Sequence, residues 1–344
     1  MTANVVAWIL LLVIAAYACG GGVDYGAGFW DLCAGGAARG KRPRWLIDHA
    51  MAPVWEVNNW EVNNVWLIFV LVLMWTGFPE FFQTVFTALW LPLALAAVGM
   101  VLRGAGFALR KPTRNLAGRR IYGAAFAVSS LLTPFFLGAV IGGVASGRVA
   151  PGTVASAHAW ANTTSVMAGL VAVAATAFLG AVFLSVDARR FGATDLIGYF
   201  RLRARIAGFA LLVVGVIGVT LTDPQAAYVH HGLTHGAGLA ALLAAVAALV
   251  LTTWLVSGPA SGWARYSSVA TVALLVAAWG LAQRPYLVPT SLTVQEAAGA
   301  SEPLHWMLFV TAVALVLIGP ALVLLYRLDT RGVLEPLTEE DVAE

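Results

Sequence analysis

The sequence predicts an all-α polytopic membrane protein with nine transmembrane helices. Three observations carry this. Apolar residues make up 60% of the chain and charged residues only 11%, against roughly 25% charged in a soluble domain, so the chain lacks the polar surface to cover itself with water. Runs of the length a spanning helix needs, about 20 mostly apolar residues, recur along the whole sequence. The basic residues fall between those runs, mainly in alternate connections. A closed barrel is excluded, because its strands read as short alternating segments rather than long continuous ones.

The first run covers residues 5–33. No Lys or Arg precedes Arg39, so the run lacks the charged start of a cleavable signal and is expected to stay as a helix. It carries the two cysteines, Cys19 and Cys33. On one helix they lie about 21 Å apart along the axis, far beyond the roughly 7 Å Cα limit for a disulfide. The following spans are read at 54–77, 80–108, 121–145, 161–186, 204–222, 233–256, 264–282 and 304–327. After Arg327 the chain turns acidic, with Glu335, Glu339, Glu340, Asp341 and Glu344, and reads as a frayed tail. The short connectors leave no room for an inserted soluble domain.

Loop charge sets the expected orientation. Arg39, Lys41, Arg42 and Arg44 fill the first connection, and Arg110, Lys111, Arg114, Arg119 and Arg120 the third. Arg189, Arg190, Arg201, Arg203 and Arg205 follow in the fifth and Arg265 in the seventh, whereas the even-numbered connections hold only Arg148 and Arg284. By the positive-inside rule the N-terminus lies outside and the C-terminus in the cytoplasm, with an odd number of spans. The sequence pI near 9.0 therefore reflects topology; the basic residues form no single patch of the kind nucleic acid would need. One repeat stands out: Trp-Glu-Val-Asn-Asn at 55–59 recurs at 60–64. Five residues turn a helix by roughly 140° net, so the copies cannot present one face.

Ionisable groups inside a membrane cost about 2.5–3.5 kcal/mol on insertion scales and invite a functional reading. The candidates are Asp24, Glu56, Glu61 and Arg103. In the expected orientation all four lie toward the cytoplasmic side of the first three spans. That suits a proton entry route, which needs carboxyls that load and release protons. The competing reading is that Arg103 neutralises Asp24 or a glutamate and staples the helices. Asp31 and Glu80 fall near interfaces and read as solvated.

His230, His231 and His235 suggest a metal or haem site, and His231 and His235 stand four apart on one helical face. They fall at the outer edge of the seventh span without a nearby Cys or Glu, where hydrogen bonding is the more ordinary role. His158 and His305 are isolated near the outer face, and His49 lies in a basic loop. Trp45, Trp160, Trp263 and Trp306 sit near span ends, as an aromatic belt places them. Phosphate-binding loops and nucleophile triads are absent, so ATPase and hydrolase classes are excluded; the glycine-rich stretches at 20–22 and 142–143 suit close helix packing.

Several segments together carry a resemblance: Gly22-Val23-Asp24-Tyr25-Gly26, Ala52-Pro53-Val54-Trp55-Glu56, Asn64-Val65-Trp66-Leu67-Ile68 and Leu102-Arg103-Gly104-Ala105-Gly106-Phe107. With Pro285-Tyr286-Leu287-Val288-Pro289 and Ser291-Leu292-Thr293-Val294, the chain resembles subunit II of cytochrome bd quinol oxidase over nearly its whole length. The resemblance implies two four-helix bundles, at 1–145 and 161–282, a ninth helix at 304–327 and a cytoplasmic tail at 328–344. It implies a bacterial plasma-membrane complex with a similarly folded subunit I that carries haem b and haem d, oxidises quinol and reduces dioxygen to water. This chain would ligate no haem or metal, would hold a structural quinone or lipid as some members do, and would sit in lipid beside small accessory subunits where these exist. The family's proton-route acid corresponds to Glu56 or Glu61, its first-helix acid to Asp24 and its third-helix arginine to Arg103. An acid common three positions before Asp24 is Gly21 here. A secondary transporter would also show intramembrane carboxylates, but the sequence has no clear inverted repeat; a purely structural scaffold is the third reading.

Overall fold

An uninterrupted apolar run without proline produces α1 (Thr2–Cys33), a helix of 32 residues and so about 48 Å long. The structure, a computed structural model, describes residues 1–35, 40–50, 65–110, 116–222, 224–258 and 262–330. The first basic connection is not plain loop. Residues Lys41–Ala50 form α2, a helix that buries Leu46, Ile47 and Ala50 on one side. Their spacing of one, three and four residues supplies the apolar stripe.

The second span is described from Val65 onward as α3 (Val65–Gly77), whose last turn, Leu73–Gly77, widens into a π-helix. Phe78 then leaves the helical region, and Pro79 opens α4 (Pro79–Ala88), where its missing N–H would be unsatisfied in any case. The two helices meet at a bend of 117°. The stretch expected as one span at 80–108 is two helices, because Leu89 again breaks the path before α5 (Trp90–Arg110). Both corner residues, Phe78 and Leu89, are 0% exposed and belong to the same core. Burying these two side chains outweighs continuing a straight helix.

The remaining helices are α6 (Leu116–Ala145), α7 (Ala157–Trp160), α8 (Thr163–Arg190), α9 (Thr194–Thr220), α10 (Ala227–Thr234), α11 (Gly236–Leu255), α12 (Gly262–Ala282) and α13 (Ser301–Thr330). The side chain of Asn162 caps α8 by accepting the Ser165 N–H at 2.9 Å, satisfying one of the orphan donors of the first turn. Between α12 and α13 lies a hairpin, β1 (Tyr286–Val288) paired antiparallel to β2 (Leu292–Thr293). The last helix runs to Thr330, three residues into the stretch read as tail, and the rest of that tail lies outside the described residues.

Among the described residues seven helices are long and apolar enough to cross a membrane: α1, α6, α8, α9, α11, α12 and α13. The bent pair α3–α4 makes an eighth when counted as one span, and the apolar part of α5, Trp90–Gly106, is shorter. The heaviest packing joins sequence neighbours, α5 with α6, α8 with α9 and α11 with α12, while α1 touches α6, α8 and α12. At the α1–α8 crossing a Cβ on Gly26 would sit 2.0 Å from the Thr176 carbonyl oxygen and 2.8 Å from the Gly180 Cα. Only paired glycines let the two backbones come this close. Beside them the Trp30 indole donates to the Ala177 carbonyl at 2.8 Å.

Candidate functional site

The most buried charge among the described residues is Arg103, 2% exposed on α5. Its Nη2 donates to Asp24 Oδ1 at 2.6 Å and its Nε to Asp24 Oδ2 at 2.9 Å, while Nη2 also meets the Asp24 carbonyl at 2.8 Å. Nη1 donates to Ser130 Oγ at 2.5 Å, and the Ser130 hydroxyl in turn donates a hydrogen bond to the Phe126 carbonyl at 2.7 Å. One guanidinium thus ties α1, α5 and α6 through a two-pronged, charge-assisted contact, the strongest hydrogen-bond geometry side chains offer. The Arg103 Cζ also lies 4.3 Å from the Phe126 ring centre and 4.9 Å from that of Tyr25, a cation–π arrangement strengthened by loss of water. Gly28 keeps the space open: a Cβ there would stand 2.0 Å from Ser130 Oγ.

Three further acid–base contacts gather on the helix ends beside the basic connections. Asp31 accepts from Arg44 at 3.0 Å. It is 5% exposed, which corrects the expectation of a solvated interface residue: α2 packs against α1 and brings Arg44 onto it. Asp187 on α8 is paired with Arg265 on α12, both largely out of solvent. Arg42 forks onto Asp195 at 3.0 and 3.1 Å, but both side chains are about half exposed, where solvent screens such pairs and they add little. Sequence reasoning treated Arg265 and Arg44 only as topology charges and overlooked Asp187. The signal for Asp187 was available: it is the one charged residue in the stretch 163–188.

Asp24 and Arg103 are thus brought together, whereas Glu56 and Glu61 lie outside the described residues, as does the side chain of His49. The histidines are arranged differently from expectation. His230 and His231 sit on the short α10, and His235 is the extended residue before α11, so the seventh span begins only at Gly236. The rings of His231 and His235 stack at 4.3 Å instead of converging on a point. His230 Nδ1 is 3.0 Å from the Val219 carbonyl, and His305 Nε2 lies 3.4 Å from Thr2 Oγ1. Among the described residues no three His, Cys, Asp or Glu side chains gather in a way that could hold a metal ion.

Comparison with known proteins gives a consistent result. The family described as cytochrome bd terminal oxidase subunit II matches residues 2–329. Cytochrome bd-I ubiquinol oxidase subunit 2 of Escherichia coli strain K12 is 24% identical over 354 aligned positions, covering 90% of each chain, and the same subunit of Escherichia coli O157:H7 matches equally. A chain of the bd oxidase from Geobacillus thermodenitrificans shares the fold with a TM-score of 0.78 at 24% identity, over 95% of this chain and 98% of that one.

Proposed function

This chain belongs to the cytochrome bd terminal oxidase subunit II family, and we propose that it is the non-haem subunit of a quinol oxidase that reduces dioxygen to water. In this reading haem b, haem d and the quinol-oxidising site belong to a subunit I partner in a bacterial plasma membrane. Counting α3 and α5 as spans beside the seven long helices gives nine, in two four-helix bundles (1–145 and 161–282) plus α13. The charge distribution supports an N-terminus outside and a C-terminus in the cytoplasm in this reading.

The observation that supports a role in proton delivery is the Asp24–Arg103–Ser130 tie. Both oxygens of Asp24 are engaged by one guanidinium, so Asp24 acts as an anchor that positions its neighbours. The proton carrier in this reading is one of the two glutamates of the repeat at 55–64. We take Glu61 as that carrier, because it is the nearer of the two in sequence to Val65, where α3 begins. Glu56 lies five residues earlier in the sequence, farther from that helix start. Replacing Glu61 with Gln keeps the shape but removes the ionisable proton. We expect Glu61→Gln to slow oxygen uptake by the quinol-fed complex with haem content unchanged, and Glu56→Gln to do less. Wild-type turnover in both variants would move proton entry to the partner and leave this chain a scaffold.

A further inference from the structure

Outside the Asp24–Arg103 tie, the buried acid Asp31 is bonded to the helix that leads in sequence toward the candidate proton carriers. Asp31 stands near the end of α1, 5% exposed, and lies outside the segments that carry the family resemblance. Its Oδ1 accepts from Arg44 Nε at 3.0 Å, and Arg44 Nη2 also donates to the Gly35 carbonyl at 2.7 Å. Two residues before Arg44, Arg42 forks onto Asp195 in the first turn of α9. At 3.6 residues per turn these arginines stand about 200° apart around α2. One tether therefore runs to α1, and the other leaves the opposite side of the helix for α9.

Between them, apolar packing and two ion pairs fix α2. Leu46, Ile47 and Ala50 belong to one core with Ala188 of α8 and with Leu196 and Phe200 of α9, which decides the side of the helix that is buried. Apolar burial is non-directional, whereas a guanidinium–carboxylate contact has a set geometry, so the ion pairs set where α2 lies along and about its axis. A slip of one residue would carry its end about 1.5 Å and turn it about 100°. α2 ends at Ala50, and Glu56 and Glu61 follow it in the sequence. Proton transfer needs donor and acceptor within about 2.6–3.2 Å, or one water between them, so an error of that size ahead of the carboxyls matters.

We propose that Asp31 and Asp195 are positioning residues for proton entry, acting through Arg44 and Arg42 to fix α2 and hence the point from which the chain continues to Glu56 and Glu61. This rests on the reading that one of those glutamates carries the proton. Asp31 is the principal of the two, because its pair with Arg44 is the less exposed; Asp195 and Arg42 are about half exposed, and solvent screens them.

The test uses the full-length chain in its assembled complex, with haem content, quinol-fed oxygen uptake and amide exchange of residues 41–50 measured on the same preparations. Asp31→Asn keeps the shape and removes the charge. It should quicken exchange in α2 and lower kcat per haem about tenfold, with KM for quinol unchanged. The solvent deuterium isotope effect on uptake should grow, because proton delivery then limits turnover. Asp31→Glu, which keeps the charge, should recover most of the loss. Asp195→Asn alters an exposed side chain and should lower kcat about twofold with the same signature; it serves where Asp31→Asn fails to assemble. Quickened exchange with wild-type kcat and isotope effect overturns the proposal, since α2 would then be an anchor only, and so does unchanged exchange. Wild-type turnover in Asp31→Asn beside a slowed Glu61→Gln refutes the positioning role alone. Wild-type turnover in Glu56→Gln and Glu61→Gln as well refutes the proton-entry reading beneath it.

Discussion

Arg103 has its charge met entirely by groups from other helices: Asp24 of α1 by two prongs and Ser130 of α6 by a third. A buried pair of this kind adds little net stability over an apolar replacement, yet removing one member strands the other and costs about 3–5 kcal/mol. Arg103→Ala is therefore expected to lower the yield of assembled complex sharply while leaving turnover per assembled complex close to wild type. Quantifying both by haem content and oxygen uptake checks this; normal yield would mean that Asp24 finds another partner. That Asp24 and Arg103 deserved notice was legible in the sequence, since a charge inside an apolar run stands out locally. Their partnership was not, because the residues are 79 positions apart and Glu56 and Glu61 competed for the same arginine.

Helix crossings and turns carry the next level of organisation. Because α1 and α8 touch backbone to backbone at Gly26 and Gly180, even a methyl group must push them apart, and overpacking of this kind costs about 1–3 kcal/mol. Gly26→Ala should lower the thermal stability of the purified complex, read as loss of intact assembly on heating, whereas a wild-type melting profile would show the helices are not in contact. The hairpin before α13 offers a test against pH. Glu296 accepts from the Thr293 N–H at 2.8 Å and from its hydroxyl at 2.7 Å, and these bonds, the backbone one first, hold its carboxyl below the ordinary glutamate range. A depressed carboxyl stabilises the fold above its unfolded value and loses that contribution as pH falls through the folded one. Amide exchange in residues 286–293 should therefore quicken on acidification beyond its intrinsic pH dependence, and Glu296→Gln should abolish the excess. Neither feature was visible as such in the sequence. Glycines punctuate every span, and only the crossing distinguishes Gly26 from the rest.

At the scale of the whole molecule, the histidines that looked most like ligands stack or bond to nearby backbone. Replacing His230, His231 and His235 together with Ala should leave the haem absorption bands of the complex intact; loss of one band with assembly preserved would place a ligand in this chain. Membrane class, the runs that become helices and the places where charge enters them were determined by the sequence alone. In lipid each backbone polar group must be satisfied within its own segment, so local composition suffices to specify a spanning helix. What only the tertiary structure decided is which acid meets which base, as with Asp187 and Arg265 at 78 positions' separation, and where the path between spans turns, as at Phe78 and Leu89. Those outcomes depend on side chains from distant segments filling one shared core, and no local pattern of residues contains that information.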